Sequence, residues 1–387
     1  MATTSEVELP LTGIRVLELA QALSGPFCGL QLADLGADVI KIEVPEKGDD
    51  SRMWGPPFIG DTATYFLSVN RNKRSIALNL KDEEDNQVAR ELASAADVVL
   101  ENWRPGTAAK LGLGAEQLRK ARPDLVYCSI SGFGSDGPDK PGYDQVIQGM
   151  AGWMSLTGPA RGEPYKVGLP IADMSTGLFA TIGILGALLQ RERSGKGAFV
   201  DVGMFDSMVA LLTYQAGSYL KTGNNPTRHG NMHVSIVPYG SYRTSDGHIN
   251  ICVGNDVQWQ RLCTALAMGH LGADERFTTN SLRVKNRVSL NEAIEPALAR
   301  IGSQQLLNVF EQAGVPCGPI WNIHDIITSD IAAARGIKVT ALHPVLGNVC
   351  SLAHPWRFDG ARPVIRRPPP LLNENREDVL ADPAWKR

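Results

Sequence analysis

Asp173 lies in the segment Pro170-Ile171-Ala172-Asp173-Met174-Ser175-Thr176-Gly177, at the mouth of an apolar run from Leu178 to Leu189. A carboxylate so placed can cap a helix or act as a nucleophile, and its surroundings decide which. The run ends in Gln190-Arg191-Glu192-Arg193-Ser194-Gly195, so it reads as a helix buried all round, with basic residues in its last turn and a glycine stop. Asp173 then falls at or just before the helix N-terminus. There the free N–H groups and the positive end of the dipole would keep the carboxylate ionised and offer donors to a developing oxyanion. From position alone an ordinary N-cap aspartate is the preferred reading, since Asp is among the favoured caps.

The elements that must position it alternate strand and helix. Gly13 to Leu19 has a strand pattern, a loop follows from Ala20 to Gly25, and a helix runs from Pro26 to about Gly36 before a second strand, Ala37 to Glu43. Further units are Ser75 to Leu80, a helix from Glu83 to Ala95, Asp97 to Leu100, and a strand around Leu125 to Ser129. This repetition predicts an α/β fold with a parallel, Rossmann-like sheet. A helix-rich stretch continues from Gln145 to Leu220, and the polar cluster Lys221-Thr222-Gly223-Asn224-Asn225-Pro226 reads as a hinge. Beyond it, Tyr239 to Arg243 and His248 to Val253 flank Thr244-Ser245-Asp246-Gly247, a hairpin signature. Helices are expected over Val257 to Met268, Arg283 to Ile301 and Ser303 to Ala313. The expected division is a large α/β domain over 10–220, a smaller α+β domain over 226–330, and a tail over 331–387.

A length of 387 residues and a net charge of −3 fit two globular cores without the basic stripe that nucleic acid or an anionic membrane would need. The six cysteines (Cys28, Cys128, Cys252, Cys263, Cys317 and Cys350) form no C-x-x-C pair, and they read as reduced thiols. Met1 to Pro10 matches neither a secretory signal nor a transit peptide, and no apolar stretch looks long enough to span a bilayer. A cytoplasmic protein, or one in an organelle matrix after processing, is expected.

The first strand-to-helix loop, Gln21-Ala22-Leu23-Ser24-Gly25-Pro26, sits where a dinucleotide fold carries G-x-G-x-x-G and does not match it. Glu43 could imitate a ribose-binding acid, but without those glycines it reads as a surface glutamate. Lys41, Arg71, Lys73, Arg74, Lys81, Arg104 and Lys110 could meet phosphates if clustered, or form a solvated surface if scattered. Glu101-Asn102-Trp103-Arg104-Pro105-Gly106 follows an apolar strand directly, an arrangement suited to a nucleotide or to plain packing. The glycine turns at Ser131 to Pro138 and at Thr157-Gly158-Pro159 let backbone approach a ligand. His229 and His233, within Arg228-His229-Gly230-Asn231-Met232-His233, lack a helix and a third ligand, so a polar loop is preferred and no metal is expected.

Val16 to Glu43, Asn70 to Leu80, Asp97 to Gly106, Gly142 to Gly158, and Asp173 with its helix together resemble the class III CoA-transferases, the formyl-CoA and carnitine CoA-transferase group. Gly48 to Pro57 and Val234 to Tyr239 look most like the succinyl-CoA-dependent dicarboxylate members of the glutarate type. The resemblance implies a nucleophilic Asp173 and CoA contacts at Leu23, Ser24, Leu78, Lys81, Asn102, Trp103, Arg104, Lys110 and Tyr143. It implies CoA as cosubstrate with no tightly bound cofactor. It also implies a ring-shaped chain, its tail returning to the large domain, in an interlocked homodimer.

Two departures from the family pattern stand out. Val44 replaces an arginine found near the adenine in some relatives, and the oxalate-closing glycine run has no counterpart around Val253-Gly254-Asn255-Asp256. Arg52, Arg228, His229 and His233 are candidates for a substrate's distal carboxylate. The expected reaction moves CoA from succinyl-CoA to a dicarboxylic acid such as glutarate or itaconate. An α-methylacyl-CoA racemase is the alternative, and it would need a histidine where Pro141-Gly142-Tyr143-Asp144 stands.

Overall fold

A computed structural model describes residues 8–138 and 140–386. It divides into two units: Met1–Trp153, Val167–Thr222 and Asp330–Arg387 form the first, and Met154–Lys166 with Gly223–Ser329 the second. The segment Met154–Lys166 thus leaves the large domain to which the sequence reading assigned it.

In the first unit, β1 (Arg15–Leu19), β2 (Asp38–Glu43), β3 (Lys73–Ala77), β4 (Val98–Glu101), β5 (Val126–Ser131) and β6 (Phe199–Gly203) form one sheet. Their spatial order is β3-β2-β1-β4-β5-β6, and every neighbouring pair is parallel. This is the doubly wound order, in which the loops after β1 and β4 part over a crevice at the carboxyl ends of the strands. Val16, Leu17, Val39, Ile40, Val99 and Leu100 are fully buried, as strands covered on both faces require. Strand β6 was not expected from sequence. It is an edge strand with partly exposed, alternating Phe199-Val200-Asp201-Val202, directly after a long helix.

Five helices bear on the site: α1 (Ser24–Asp34), α2 (Thr64–Val69), α3 (Glu83–Ala95), α4 (Asp144–Met150) and α5 (Ile171–Ser194). A Cβ at Gly177 of α5 would come within 2.7 Å of the Ser24 carbonyl oxygen, so only glycine lets α5 press against the first turn of α1. Gly195 stops α5 in the left-handed region at φ 69°. Two expectations about this helix fail. It runs 24 residues and, by length and composition, is long and apolar enough to cross a membrane. It is also not buried all round, because Leu178, Ile182 and Leu189 are 43%, 63% and 56% exposed and align on one face.

The tail covers the open edge of the sheet. Asn375 Oδ1 accepts from the Ser75 N–H at 2.9 Å and Asn373 Oδ1 from the Ala77 N–H at 2.8 Å, which satisfies the donors of edge strand β3. The second unit is an antiparallel three-stranded sheet, Tyr239–Arg243, His248–Cys252 and Cys317–Pro319, packed on helices around Trp259, Phe277 and Phe310. The helix expected over Arg283 to Ile301 is two helices, Asn280–Lys285 and Arg287–Leu298, broken at Asn286.

Candidate active site

Two cavities occupy the crevice between the loops after β1 and β4. The first, about 560 Å³, is lined by Leu19, Ala20, Lys41, Asp49, Leu78, Lys81, Trp103 and Lys110 among others. The second, about 360 Å³, is lined by Ser24, Trp54, Asn102, Arg104, Lys140, Tyr143, Asp144 and Asp173 among others, and Gln21, Trp103 and Thr107 line both. An elongated ligand crossing the switch point would therefore reach Asp173 from a mouth carrying Lys81 and Lys110.

Asp173 is the third residue of α5 and is not its cap. Asp144 caps that helix instead, its Oδ1 accepting from the Ala172 N–H at 2.8 Å and the Asp173 N–H at 3.3 Å. The donors facing the Asp173 carboxylate come from another helix: the hydroxyl and N–H of Ser24, the first residue of α1. Burial and the like charge of Asp144 raise the Asp173 carboxyl to about 7, and the two Ser24 hydrogen bonds only partly offset them. The expectation that its own helix keeps Asp173 ionised is thus corrected: Asp144 takes up the leading N–H groups of α5, and its charge works the other way.

The loop carrying Ser24 is tied on several sides. The Asn102 side chain accepts from the Gln21 N–H at 2.9 Å and donates to the Gln21 carbonyl at 2.8 Å. Below Asn102, buried Glu101 accepts from the Trp103 N–H at 2.7 Å, and burial raises its carboxyl to about 7. On the far wall a Cβ at Gly142 would lie 2.3 Å from the Gly132 Cα, so two lining glycines permit a backbone contact no other residue allows.

Residues 11–376 match CoA-transferase family III. The chain belongs to that family. It is 41% identical over 375 residues to the succinyl-CoA:glutarate CoA-transferase of Mus musculus, covering 96% of this chain and 86% of that one. It is 42% identical over 388 residues to the succinate–glutarate CoA-transferase of Agrobacterium fabrum, with coverage of 96% and 95%. Among solved structures, a CAIB/BAIF family protein from Brucella suis superposes with a TM-score of 0.87 at 44% identity, covering 97% and 99%.

In this CoA-transferase the expected site residues fall into three sets. Asp173, Ser24, Asn102, Trp103, Arg104 and Tyr143 line the second cavity, and Leu78, Lys81, Trp103 and Lys110 the first. Leu23 lines neither and packs with Leu30 and Val69. Arg52 is not available to a substrate: it is buried, its Nη2 and Nε lie 2.7 and 2.8 Å from the two Glu43 carboxylate oxygens, and it stacks on Phe66 at 3.6 Å. Glu43, read from sequence as a surface residue, is buried within that pair. Lys41, Arg71, Lys73 and Arg74 are likewise committed to buried ion pairs, leaving Lys81, Arg104 and Lys110 as the exposed basic residues of that set.

Arg228, His229 and His233 belong to the second unit. Arg228 donates to the Pro159 and Gly162 carbonyls, and His233 Nδ1 accepts from the Ser235 N–H. Sequence reasoning passed over Asp144, Lys140 and Trp54. Only an acidic residue opening a helix marked the first, and no local pattern marked the others.

Proposed function

We propose that this enzyme transfers CoA from succinyl-CoA to a second dicarboxylic acid through covalent intermediates on Asp173. Membership of the family makes it a CoA-transferase acting between an acyl-CoA and a dicarboxylate. The observation supporting the covalent route is a half-buried Asp173 carboxyl, near neutral in pKa, that faces the Ser24 donors in a cavity at the switch point.

The ionised Asp173 attacks the thioester carbonyl, expelling CoA thiolate and leaving an aspartyl–succinyl anhydride. The thiolate then attacks the aspartyl carbonyl, forms an aspartyl-CoA thioester and releases succinate. The acceptor carboxylate attacks that thioester to give a new anhydride and free thiolate, which attacks the acceptor carbonyl and restores Asp173. The activation of the acyl group survives each step, which a serine ester would not permit. The Ser24 N–H and hydroxyl stabilise the oxyanion formed at the aspartyl carbonyl. Lys81 and Lys110 supply charge for the CoA phosphates, with Leu78 and Trp103 as apolar wall. Arg104 and Lys140 bring positive charge to the Asp173 cavity for anionic substrates.

A racemase would need a second base facing Asp173 across the substrate, and no histidine lines this cavity among the described residues. We also propose a homodimer, supported by the exposed apolar face of α5 and by Leu220 at 81% exposure. Light scattering should return twice the chain mass. The six free thiols fit a reducing, cytoplasmic setting.

The deciding experiment mixes the enzyme with succinyl-CoA and reduces it with borohydride. Homoserine at position 173 is the expected product of the aspartyl-CoA thioester, and its absence alongside normal turnover would rule out the covalent route. A panel of dicarboxylic acids read by mass for new thioesters then names the acceptor.

A further inference from the structure

We infer that Asp49 is a positioning residue for the transfer, acting through the loop that presents Ser24 to Asp173. This rests on the reading of Asp173 as nucleophile. Asp49 lines the first cavity, whereas Asp173 lines the second.

The segment from Ala20 to Pro26, the loop and the first turn of α1, is held from beneath by buried charges. Lys41 Nζ donates to the Ala20 carbonyl at 2.6 Å and lies 2.9 Å from Glu18 Oε1 and 2.8 Å from Asp49 Oδ2. Asp49 Oδ1 accepts from the Ala22 N–H at 3.0 Å, the Ser51 N–H at 2.9 Å and the Ser51 hydroxyl at 2.7 Å. Lys73 Nζ donates to the Pro26 carbonyl at 2.8 Å and lies 2.9 Å from Glu18 Oε2. A Cβ at Gly29 would sit 1.9 Å from Glu18 Oε2, so α1 rests directly on this network.

Ala22 has φ 66°, a left-handed conformation that alanine disfavours, and its N–H points to Asp49. Two residues later Ser24 lines the same cavity as Asp173, its carbonyl packed against Gly177 of α5, and its hydroxyl and N–H favour the Asp173 carboxylate. Buried ion networks add little stability over apolar packing of the same volume. What this one supplies is geometry: it fixes the turn that sets where α1 begins and hence where its first donors point. The groups facing Asp173 are Asp144 from α4, Tyr65 from α2 and Ser24 from α1, and Lys41, Lys73, Tyr65 and Ser51 face Asp49.

The test is Asp49→Asn in the full-length enzyme, reading the donor half-reaction with succinyl-CoA, so that the acceptor's identity does not matter. The rate of succinate release should fall about 10- to 100-fold. KM for succinyl-CoA should stay within about twofold, as expected when only transition-state contacts are lost. Because the Ser24 hydrogen bonds pull the Asp173 carboxyl down, misplacing them should move the acid limb of the rate profile to higher pH. Adding Ala22→Gly should recover part of the rate, since glycine adopts the left-handed turn without a tether. Asp50→Asn, which removes an exposed partner of Lys47, should change nothing.

A folded Asp49→Asn enzyme with an unmoved acid limb, whether active or not, overturns the inference. If Asp49→Asn does not fold, Ser51→Ala decides: a smaller shift in the same direction supports the positioning role, and an unmoved limb refutes it. Full turnover by Asp173→Asn would instead overturn the nucleophile reading, whatever Asp49→Asn does.

Discussion

Asp49 and Asp173 are the same side chain serving the same loop, with opposite electrostatics. Asp49 accepts from the Ala22 N–H, and Asp173 faces the donors of Ser24, two residues further on. Burial pushes both carboxyls up. At Asp49 the Lys41 ammonium and the Ser51 donors outweigh burial and hold the group near 2, whereas Asp173 has no ion pair among the described residues, faces Asp144 and rises to about 7. One is locked as an anion for structure. The other stays poised between acid and carboxylate, the condition that the proposed nucleophile, which must also leave, would require. The linkage has opposite signs: Asp49 stabilises the fold above about pH 4 and loses that contribution as pH falls toward 2, whereas ionising Asp173 costs stability as pH rises from about 4 to 7.

The largest expected effect comes from removing the poised member. Asp173→Asn should abolish the borohydride-trapped adduct and lower turnover by at least about 10⁴-fold, read by thioester exchange. The same variant should melt higher than the parent at pH 8, by roughly 2–4 °C for each kcal/mol regained, and the gap should close near pH 4. A melting gain independent of pH would mean that Asp173 is not the group titrating near 7.

Breaking the locked member should do the reverse. Lys41→Met leaves Asp49 and Glu18 buried with less neutralising charge, so a loss of about 3–5 kcal/mol in chemical denaturation is expected. The Asp49 site would then approach the condition of Asp173, a buried carboxylate without its lysine.

The sheet was legible because its central strands are short apolar runs bounded by turn residues, and hydrophobic period is a local property. Strand β6 was missed because an edge strand with Asp201 in its middle buries too little to leave that signature. Asp173 and Ser24 could be named, yet their partnership could not. It depends on α1 and α5 meeting at Gly177, a tertiary contact with no trace in the spacing of the chain. Arg52 shows the same limit from the other side: an arginine beside an unusual loop looks available until the fold sets Glu43 against it. The lysines of β2 and β3 likewise pass for phosphate ligands until the strands carry them inward.

A smaller effect should come from the donor side of the poised carboxyl. Ser24→Ala removes the hydroxyl donor to Asp173 and keeps the backbone N–H. The half-reaction should slow about tenfold and its acid limb should move to higher pH, because a hydrogen bond that favours the carboxylate is lost. An unchanged limb would assign the whole of the Ser24 contribution to the backbone N–H.

The smallest effect sharpens the comparison most, because it changes only the like charge. In Asp144→Asn the retained Oδ1 can still accept from the Ala172 and Asp173 N–H groups, so α5 keeps its cap. The Gln148 amide loses its carboxylate partner, at a cost of about 1 kcal/mol. The charge of Asp144 raises the Asp173 carboxyl, so its removal should lower that pKa and carry the acid limb to lower pH. Turnover at pH 6 should rise severalfold relative to pH 8, while the maximum rate changes little or falls as the carboxylate becomes a weaker nucleophile. If the limb stays in place, burial alone sets the titration of Asp173. The contrast with Asp49 would then rest on Lys41 and the Ser51 donors, with nothing added by Asp144.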